Sequence, residues 1–261
     1  MERSELFTRL TTGLVLVLLT IVALILGKIY LFLGLEVLIF LGSLEFFRMV
    51  GLRGFLPNFV GIGAALLIGF GFYIDNPLPL LVIPLLTVLG LQLTLHTDYR
   101  ISSTAMTVMG TVYPALFLAH ILPLRRIGLD YALIPLLYTW VFDTSAYLIG
   151  SRFGRRKITA RISPGKSLEG TLGGFLVAVS AGLVASITFA QFLSIPHAFI
   201  LGAIVVFTAQ VGDLFESLLK RSVQLKDSSS LLPGHGGVLD RLDSLIFTIP
   251  VAYYYLSWFT K

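Results

Sequence analysis

The acids of the C-terminal half stand where lipid would surround them. Asp143, Asp213 and Glu216 interrupt apolar stretches of a 261-residue chain in which only 13% of residues are charged. An acid inside a membrane span costs about 3 kcal/mol at the bilayer centre and by default marks function. Asp143 lies seven residues before Gly150, and Asp213 lies seven residues before Lys220. At 1.5 Å per helical residue, both are expected about 10 Å below the same membrane surface. Glu216 follows Asp213 at i+3, on one helical face, and Asp240 and Asp243 open the last apolar stretch from the same side. Five carboxylates are therefore expected to converge beneath two polar loops. The first loop carries Arg152, Arg155, Arg156, Lys157 and then Lys166-Ser167; the second carries Lys220-Arg221, Lys226-Asp227, Gly234-His235-Gly236-Gly237 and Arg241. Carboxylates below and cations above suit a divalent cation held by oxygens, with phosphates bridging metal and basic side chains; Mg2+ takes one or two carboxylates plus substrate phosphates. The glycines of 234–237 would let backbone N–H groups approach a phosphate. At a lipid boundary one substrate is expected to be a lipid, and the other a soluble polyphosphate.

The elements that must hold these residues are apolar helices. The chain is 56% hydrophobic with mean hydropathy +0.90, about half the charge of a soluble domain, which excludes both a water-soluble globule and a disordered chain. A helix crosses the hydrocarbon with about 20 apolar residues. Nine candidates are legible, at roughly 10–27, 29–47, 55–74, 77–96, 101–122, 129–150, 169–193, 195–219 and 240–259. They are continuously apolar, not alternating as in an outer-membrane barrel. The expected fold class is an all-α polytopic helical bundle of about nine transmembrane helices. Residues 1–122 would form five N-terminal spans of unassigned role, and residues 123–261 the catalytic region with both polar loops. No small-x-small site ends the first run, so it reads as a retained helix. With the N-terminus inside and the C-terminus outside, fifteen of the nineteen lysines and arginines fall on the cytoplasmic side, as the positive-inside rule requires. The absence of cysteine excludes disulfides, thiolate metal sites and cysteine nucleophiles.

From Ser217 to Asp243 the chain reads Ser217-x-Leu219-Lys220-Arg221, then Lys226-Asp227-x-Ser229, then Leu232-Pro233-x-His235-Gly236-Gly237-Val238-x-Asp240-Arg241-Leu242-Asp243. This resembles the phosphatidate cytidylyltransferase (CDP-diacylglycerol synthase) signature at every specified position. Upstream, Asp143-x-x-x-Tyr147-x-x-Gly150-x-x-Phe153-Gly154 and Ser163-Pro164-x-Lys166-Ser167-x-Glu169-Gly170 are similar to the same family, with Ser167 where relatives often carry Thr. The resemblance covers about residues 135–245. It implies transfer of CMP from CTP to phosphatidic acid, giving CDP-diacylglycerol and pyrophosphate, Mg2+-dependent, in the cytoplasmic membrane with the site facing the cytoplasm. It also implies roles: Asp213 and Asp240 as principal metal ligands, with Asp143 and Asp243 supporting. Lys226, Asp227, His235 and Arg241 join them as catalytic residues, His235 orienting CTP or the leaving pyrophosphate. Lys166, Ser167, Lys220, Arg221, Gly236 and Gly237 would bind substrate. A second metal ion, a monovalent cation and a homodimer stay open; no nucleic-acid partner is expected.

Plainer roles compete at several positions. Positive-inside bias alone would place Arg152, Arg155, Arg156 and Lys157. Asp240 and Asp243 could cap a helix start, and Glu216 could pair with a nearby lysine. Gly150-x-x-x-Gly154 and Gly170-x-x-x-Gly174 suit close helix packing. His96, His120 and His197 suit interfacial or packed positions. Glu36 and Glu45, both in the second span, have no assigned role. A transporter would share buried acids and basic mouths, but no second copy of the 217–243 pattern marks an internal repeat. A prenol or dolichol kinase, or an archaeal CDP-lipid synthase, would share the metal logic with a different acceptor.

Overall fold

A computed structural model describes residues 3–54, 56–95, 101–159 and 161–259. His96, expected at an interfacial or packed position, lies outside the described residues, as do Arg100 and Lys261 of the charge count. Each of the nine apolar stretches contains or forms a helix. In chain order these are α1 (Arg3–Leu26), α2 (Lys28–Met49), a π-helical turn (Leu56–Gly61) leading into α3 (Ile62–Tyr73), α4 (Pro77–Leu95), α5 (Ile101–Ala119), the short α6 (Ile121–Ile127), α7 (Leu129–Phe153), α8 (Leu168–Thr188), α9 (Ile195–Ser222) and α10 (Leu239–Phe259). Five segments, Lys28–Met49, Ile101–Ile127, Leu129–Phe153, Leu168–Thr188 and Ile195–Ser222, are long and apolar enough to cross a membrane. The protein is an all-α membrane protein.

Two features depart from the simple span count. Arg125 and Arg126 lie in α6, a separate single-turn-plus helix, not in a bare loop. The first polar loop is not irregular throughout: Lys157–Thr159 (β1) and Ser163–Ser167 (β2) pair antiparallel, with Lys157 opposite Ser167 and Thr159 opposite Ser163. Segments this short carry too few residues for a period-2 pattern to show.

The chain forms two compact units, one of Met1–Pro123 with Val223–Leu242, the other of Leu124–Ser222 with Asp243–Lys261. In the first, α2 packs on α3 and α5. Phe46 and Phe47 of α2 are fully buried; the Phe47 ring fills the space that side chains at Gly61 and Gly110 would occupy. The Thr111 hydroxyl of α5 donates to the Gly61 carbonyl at 3.1 Å, tying α5 to the π-helical turn.

In the second unit, α7 and α8 are the closely packed pair. A Cβ on Gly170 would lie 2.7 Å from the Ala146 carbonyl oxygen and 2.9 Å from the Gly150 Cα, and one on Gly174 would lie 2.8 Å from the Ala146 Cβ. Small residues let the two backbones approach, as the G-x-x-x-G spacing suggested. Farther along, Tyr138 of α7 is fully buried and its hydroxyl donates to the Ala198 carbonyl of α9 at 2.6 Å. Its ring lies against Gly182 of α8 and Gly202 of α9. The Thr139 hydroxyl meets that of Thr248 in α10 at 3.0 Å, and Thr171 donates to Gln210 at 3.2 Å, joining α8 to α9. His197 hydrogen-bonds the Tyr255 hydroxyl at 2.9 Å, so it is packed.

Because the Tyr138 ring occupies the space beside Gly182, Gly182→Val forces it out of its pocket. Overpacking of this kind costs about 1–3 kcal/mol. The expected outcome is a Tm several degrees lower in detergent, with Gly182→Val/Tyr138→Ala partly recovering it. An unchanged Tm for the single variant would contradict this packing.

Candidate active site

The signature residues form a constellation in each unit. In the first, the organising group is Glu45 of α2, only 4% exposed. A buried carboxylate needs hydrogen-bond donors to offset lost hydration. Here all the donors come from the signature loop. Glu45 Oε1 accepts from the Ser229 hydroxyl at 2.6 Å and the Val238 N–H at 3.0 Å. Glu45 Oε2 accepts from the Leu239 N–H at 2.9 Å. The Ser228 hydroxyl lies between Glu45 Oε2 at 3.2 Å and Asp240 Oδ2 at 3.0 Å. Glu45 thereby serves as the cap for α10, whose first amides lack intrahelical acceptors. The Leu239 side chain rests on α2 at Gly42, one turn before Glu45.

Asp240 completes the loop from the other end. Its Oδ2 accepts from the Ser228 N–H at 2.9 Å and the Gly237 N–H at 2.7 Å. Gly236 has φ +80°, and a Cβ there would lie 2.6 Å from Asp240 Oδ2; the turn therefore requires glycine both for its backbone and for its space. The Leu232 N–H donates to the Gly236 carbonyl at 2.8 Å, the His235 N–H returns a bond to the Leu232 carbonyl at 2.9 Å, and Arg241 Nε donates to the His235 carbonyl at 3.1 Å. The His235 ring rests beside Gly13 of α1. Lys226 and Asp227 are exposed at the loop's start. The glycine-rich stretch is thus a closed turn whose Gly237 N–H is directed to Asp240.

The second unit gathers the remaining acids. A Cβ on Gly212 would lie 2.6 Å from the Asp243 carbonyl oxygen, so the glycine lets α10 approach α9 at the turn that carries Asp213. Asp243 consequently lies within electrostatic reach of Asp213, Glu216 and Asp143. Two lysines offset these acids. Lys166, at the end of β2, reaches Asp213 Oδ2 at 2.6 Å, and Lys220 pairs with Glu216 one turn away on α9. Glu216 is 1% exposed, so the lysine partner considered from sequence is present. Ser217 Oγ donates to Asp213 Oδ1 at 3.4 Å. Ser167, 2% exposed, caps α8 by accepting from the Gly170 N–H at 3.2 Å, which fixes the residue next to Lys166. Arg221 Nε donates to the Ile162 carbonyl at 3.4 Å, joining the end of α9 to the hairpin connection.

The donors are of the right chemistry for Mg2+, which prefers carboxylate oxygens. Among the described residues, however, no three acids or histidines are gathered closely enough to hold one ion between them. Sequence reasoning brought Asp143, Asp213, Glu216, Asp240 and Asp243 together beneath the loops and missed Glu45 as an anchor. The available signal was an acid inside an apolar span, which calls for a partner. Its partners lie 183 to 194 residues downstream, beyond any local pattern. Glu36, the other acid of α2, lies against Gly69 of α3, with its Oε1 lacking a hydrogen-bond partner among the described residues.

The fold and these constellations define an all-α membrane protein in which the signature residues meet buried acids of the apolar helices. The chain belongs to the cytidylyltransferase family, whose sequence profile matches residues 7–259. It is 40% identical over 194 residues to a phosphatidate cytidylyltransferase of Thermotoga maritima, covering 70% of this chain and 71% of that one. It is 36% identical over 184 residues to a protein of the same name from Aquifex aeolicus, covering 70% and 67%. A Bacillus subtilis phosphatidate cytidylyltransferase aligns over 97% of this chain and 98% of its own length at 29% identity.

Glu45→Ala removes the acceptor for two buried amides and a serine hydroxyl. Each orphaned donor costs about 1–3 kcal/mol. The expected result is a lower Tm, with trypsin cleaving faster after the exposed Lys226 while helical circular dichroism is retained. Parent-like cleavage and Tm would show that Glu45 does not hold the loop.

Proposed function

We propose that this chain is a phosphatidate cytidylyltransferase: it transfers CMP from CTP to phosphatidic acid, forming CDP-diacylglycerol and pyrophosphate for phospholipid synthesis. The carrying observation is that the signature residues are the ones organised into the buried and charged constellations just described. A phosphate oxygen of the lipid attacks the α-phosphorus of CTP. The new P–O bond replaces the one to the β-phosphate, and pyrophosphate leaves. The nucleophile is already anionic near neutral pH, so the chemical demand is to bring two polyanions together in line.

The side chains divide that task. Lys166 and Lys220, held by Asp213 and Glu216, present ammonium groups to phosphate oxygens. Arg221, Lys226 and Arg241 add further donors, and His235 orients the nucleotide or the departing pyrophosphate. Ser167 acts by fixing Lys166, and Asp240 and Gly237 by closing the signature turn. Asp227, exposed beside Lys226, has its Cβ against the Gly236 turn. Asp213 and Asp243 would supply the one or two carboxylates that Mg2+ takes beside substrate phosphates, with Asp143 supporting; when bound the ion supplies charge neutralisation and alignment at the transferring phosphate. Asp240 stands as a further carboxylate of the signature, with Oδ2 engaged in the loop.

The charge bias supports an active face toward the cytoplasm, with the N-terminus inside and the C-terminus outside. With no native cysteine, single introduced thiols can test this. Ser230→Cys should label only from the cytoplasmic side and Lys28→Cys only from the other; the reverse pattern would invert the topology.

The activity itself is tested with detergent-purified protein, labelled CTP, phosphatidic acid and Mg2+. Labelled CDP-lipid should form and should disappear with EDTA. Asp213→Asn should lower turnover by about 100-fold or more, the scale of losing one electrostatic contact to a transition state. Near-parental turnover in Asp213→Asn would remove that residue from the metal set. Phosphorylation of a prenol, with no CDP-lipid formed, would overturn the acceptor class.

A further inference from the structure

At the junction of α7 and α8 the second unit carries a groove of about 590 Å3 lined by Arg152, Phe153, Gly154, Arg155, Arg156, Leu168, Glu169 and Leu172. We infer that this groove is a docking site for a lipid phosphomonoester, its phosphate on the arginines and an acyl chain along Leu168 and Leu172. The inference deepens the proposed function, since phosphatidic acid is such a lipid.

Positive-inside bias explains arginines near a membrane surface, but not this arrangement. Glu169, the one acid of the lining, has its carboxylate turned to the backbone: Oε2 accepts the Arg155 N–H at 2.9 Å and the Arg156 N–H at 3.1 Å. The Leu168 N–H donates to the Arg156 carbonyl at 2.8 Å. Residues 155–156 are thus tied to the first turn of α8, and the arginine stems leave from a fixed backbone. Neither Arg152 nor Arg155 forms a salt bridge with a carboxylate among the described residues. At Gly154 a Cβ would lie 2.8 Å from the Ser167 Cβ, so the floor of the groove cannot carry a side chain.

The apolar part of the lining selects the ligand class. Leu168 and Leu172 lie one turn apart on a face of α8 and are 39% and 56% exposed, with Phe153 at 67%. Both α7 and α8 are of membrane-crossing length, so arginines at their ends and leucines one turn in match a charged headgroup above an acyl chain. Guanidinium groups form bidentate, charge-assisted bonds to phosphate. Three arginines against one engaged glutamate suit a phosphomonoester near two negative charges. A soluble nucleotide triphosphate would leave the leucine surface uncovered.

The test measures binding alone, on full-length protein in detergent with EDTA and without CTP, by thermophoresis. Dioctanoyl phosphatidate should bind, dioctanoyl phosphatidylcholine weakly, and inorganic phosphate should not compete at the same concentration. Arg152→Gln/Arg155→Gln should weaken phosphatidate binding roughly tenfold, a charge-assisted pair's worth, and Arg152→Lys/Arg155→Lys by less. Leu172→Trp, a change at an exposed position that fills the groove without altering charge, should weaken it too. CTP affinity, measured separately with Mg2+, should stay unchanged in all variants. Parent-like lipid binding by both the Gln and Trp variants overturns the inference, as does a fall in CTP affinity alone. Equal competition by inorganic phosphate rejects a lipid as the occupant. Parent protein that binds phosphatidate through this groove yet makes no CDP-lipid would support the site while sinking the proposed reaction.

Discussion

A carboxylate in an apolar span has to be given donors or neutralised, and Glu45 is given donors by a loop nearly two hundred residues away in sequence. The two amides at the start of α10 and the hydroxyls of Ser228 and Ser229 supply them. The constraint runs both ways. The loop supplies what the buried charge requires, and the charge holds the loop in one shape, because a displaced amide would meet hydrocarbon or packed side chains. Upstream, Phe46 and Phe47 lock α2 against Gly61 and Gly110, so an ordinary packing interaction determines where the anchoring carboxylate stands. The N-terminal helices thereby gain a physical role, as the rigid support of the signature turn.

The second unit reaches a related end through small residues. Gly212 admits the α10 backbone, and Gly150, Gly170 and Gly174 let α7 and α8 meet almost backbone to backbone. Each close approach moves a charged neighbour: Asp213 follows Gly212, and Lys166 precedes the Ser167 cap at the α8 start. Four acids so placed would repel strongly in a weakly screened interior. Lys166 and Lys220 reduce that repulsion.

What could be read in advance was whatever a local or helical rule governs. Hydropathy located the nine apolar helices, and the shared seven-residue offset of Asp143 and Asp213 from their span ends placed them at one depth. A nearby lysine was a legible partner for Glu216, and Lys220, one turn on, supplies it. The hairpin of β1 and β2 escaped because its strands are three and five residues long. The Glu45 anchor escaped for a different reason: an acid in a span announces that a partner exists without saying where. The glycines of 234–237 were visible, but their use was not. Whether such a stretch cradles a ligand or closes on itself depends on an acceptor such as Asp240 being within reach of the Gly237 N–H, which only the folded turn decides.

Phosphate transfer between two anions asks a protein for little covalent chemistry and much positioning. A membrane interior suits that demand, because a low dielectric strengthens every fixed charge and penalises every loose one. The polar groups of this chain follow from that asymmetry. Side chains that act as anchors, Glu45, Asp240, Ser167 and Ser228, are all buried and hydrogen-bonded. Those available to anions, Lys226, Arg221 and Arg241, are exposed at the ends of the same elements. Burial therefore separates two classes of polar residue: the buried anchors hold the segments from which the exposed ones project. A substitution among the anchors should disturb the donors without touching a substrate, whereas a substitution among the donors should leave the fold intact.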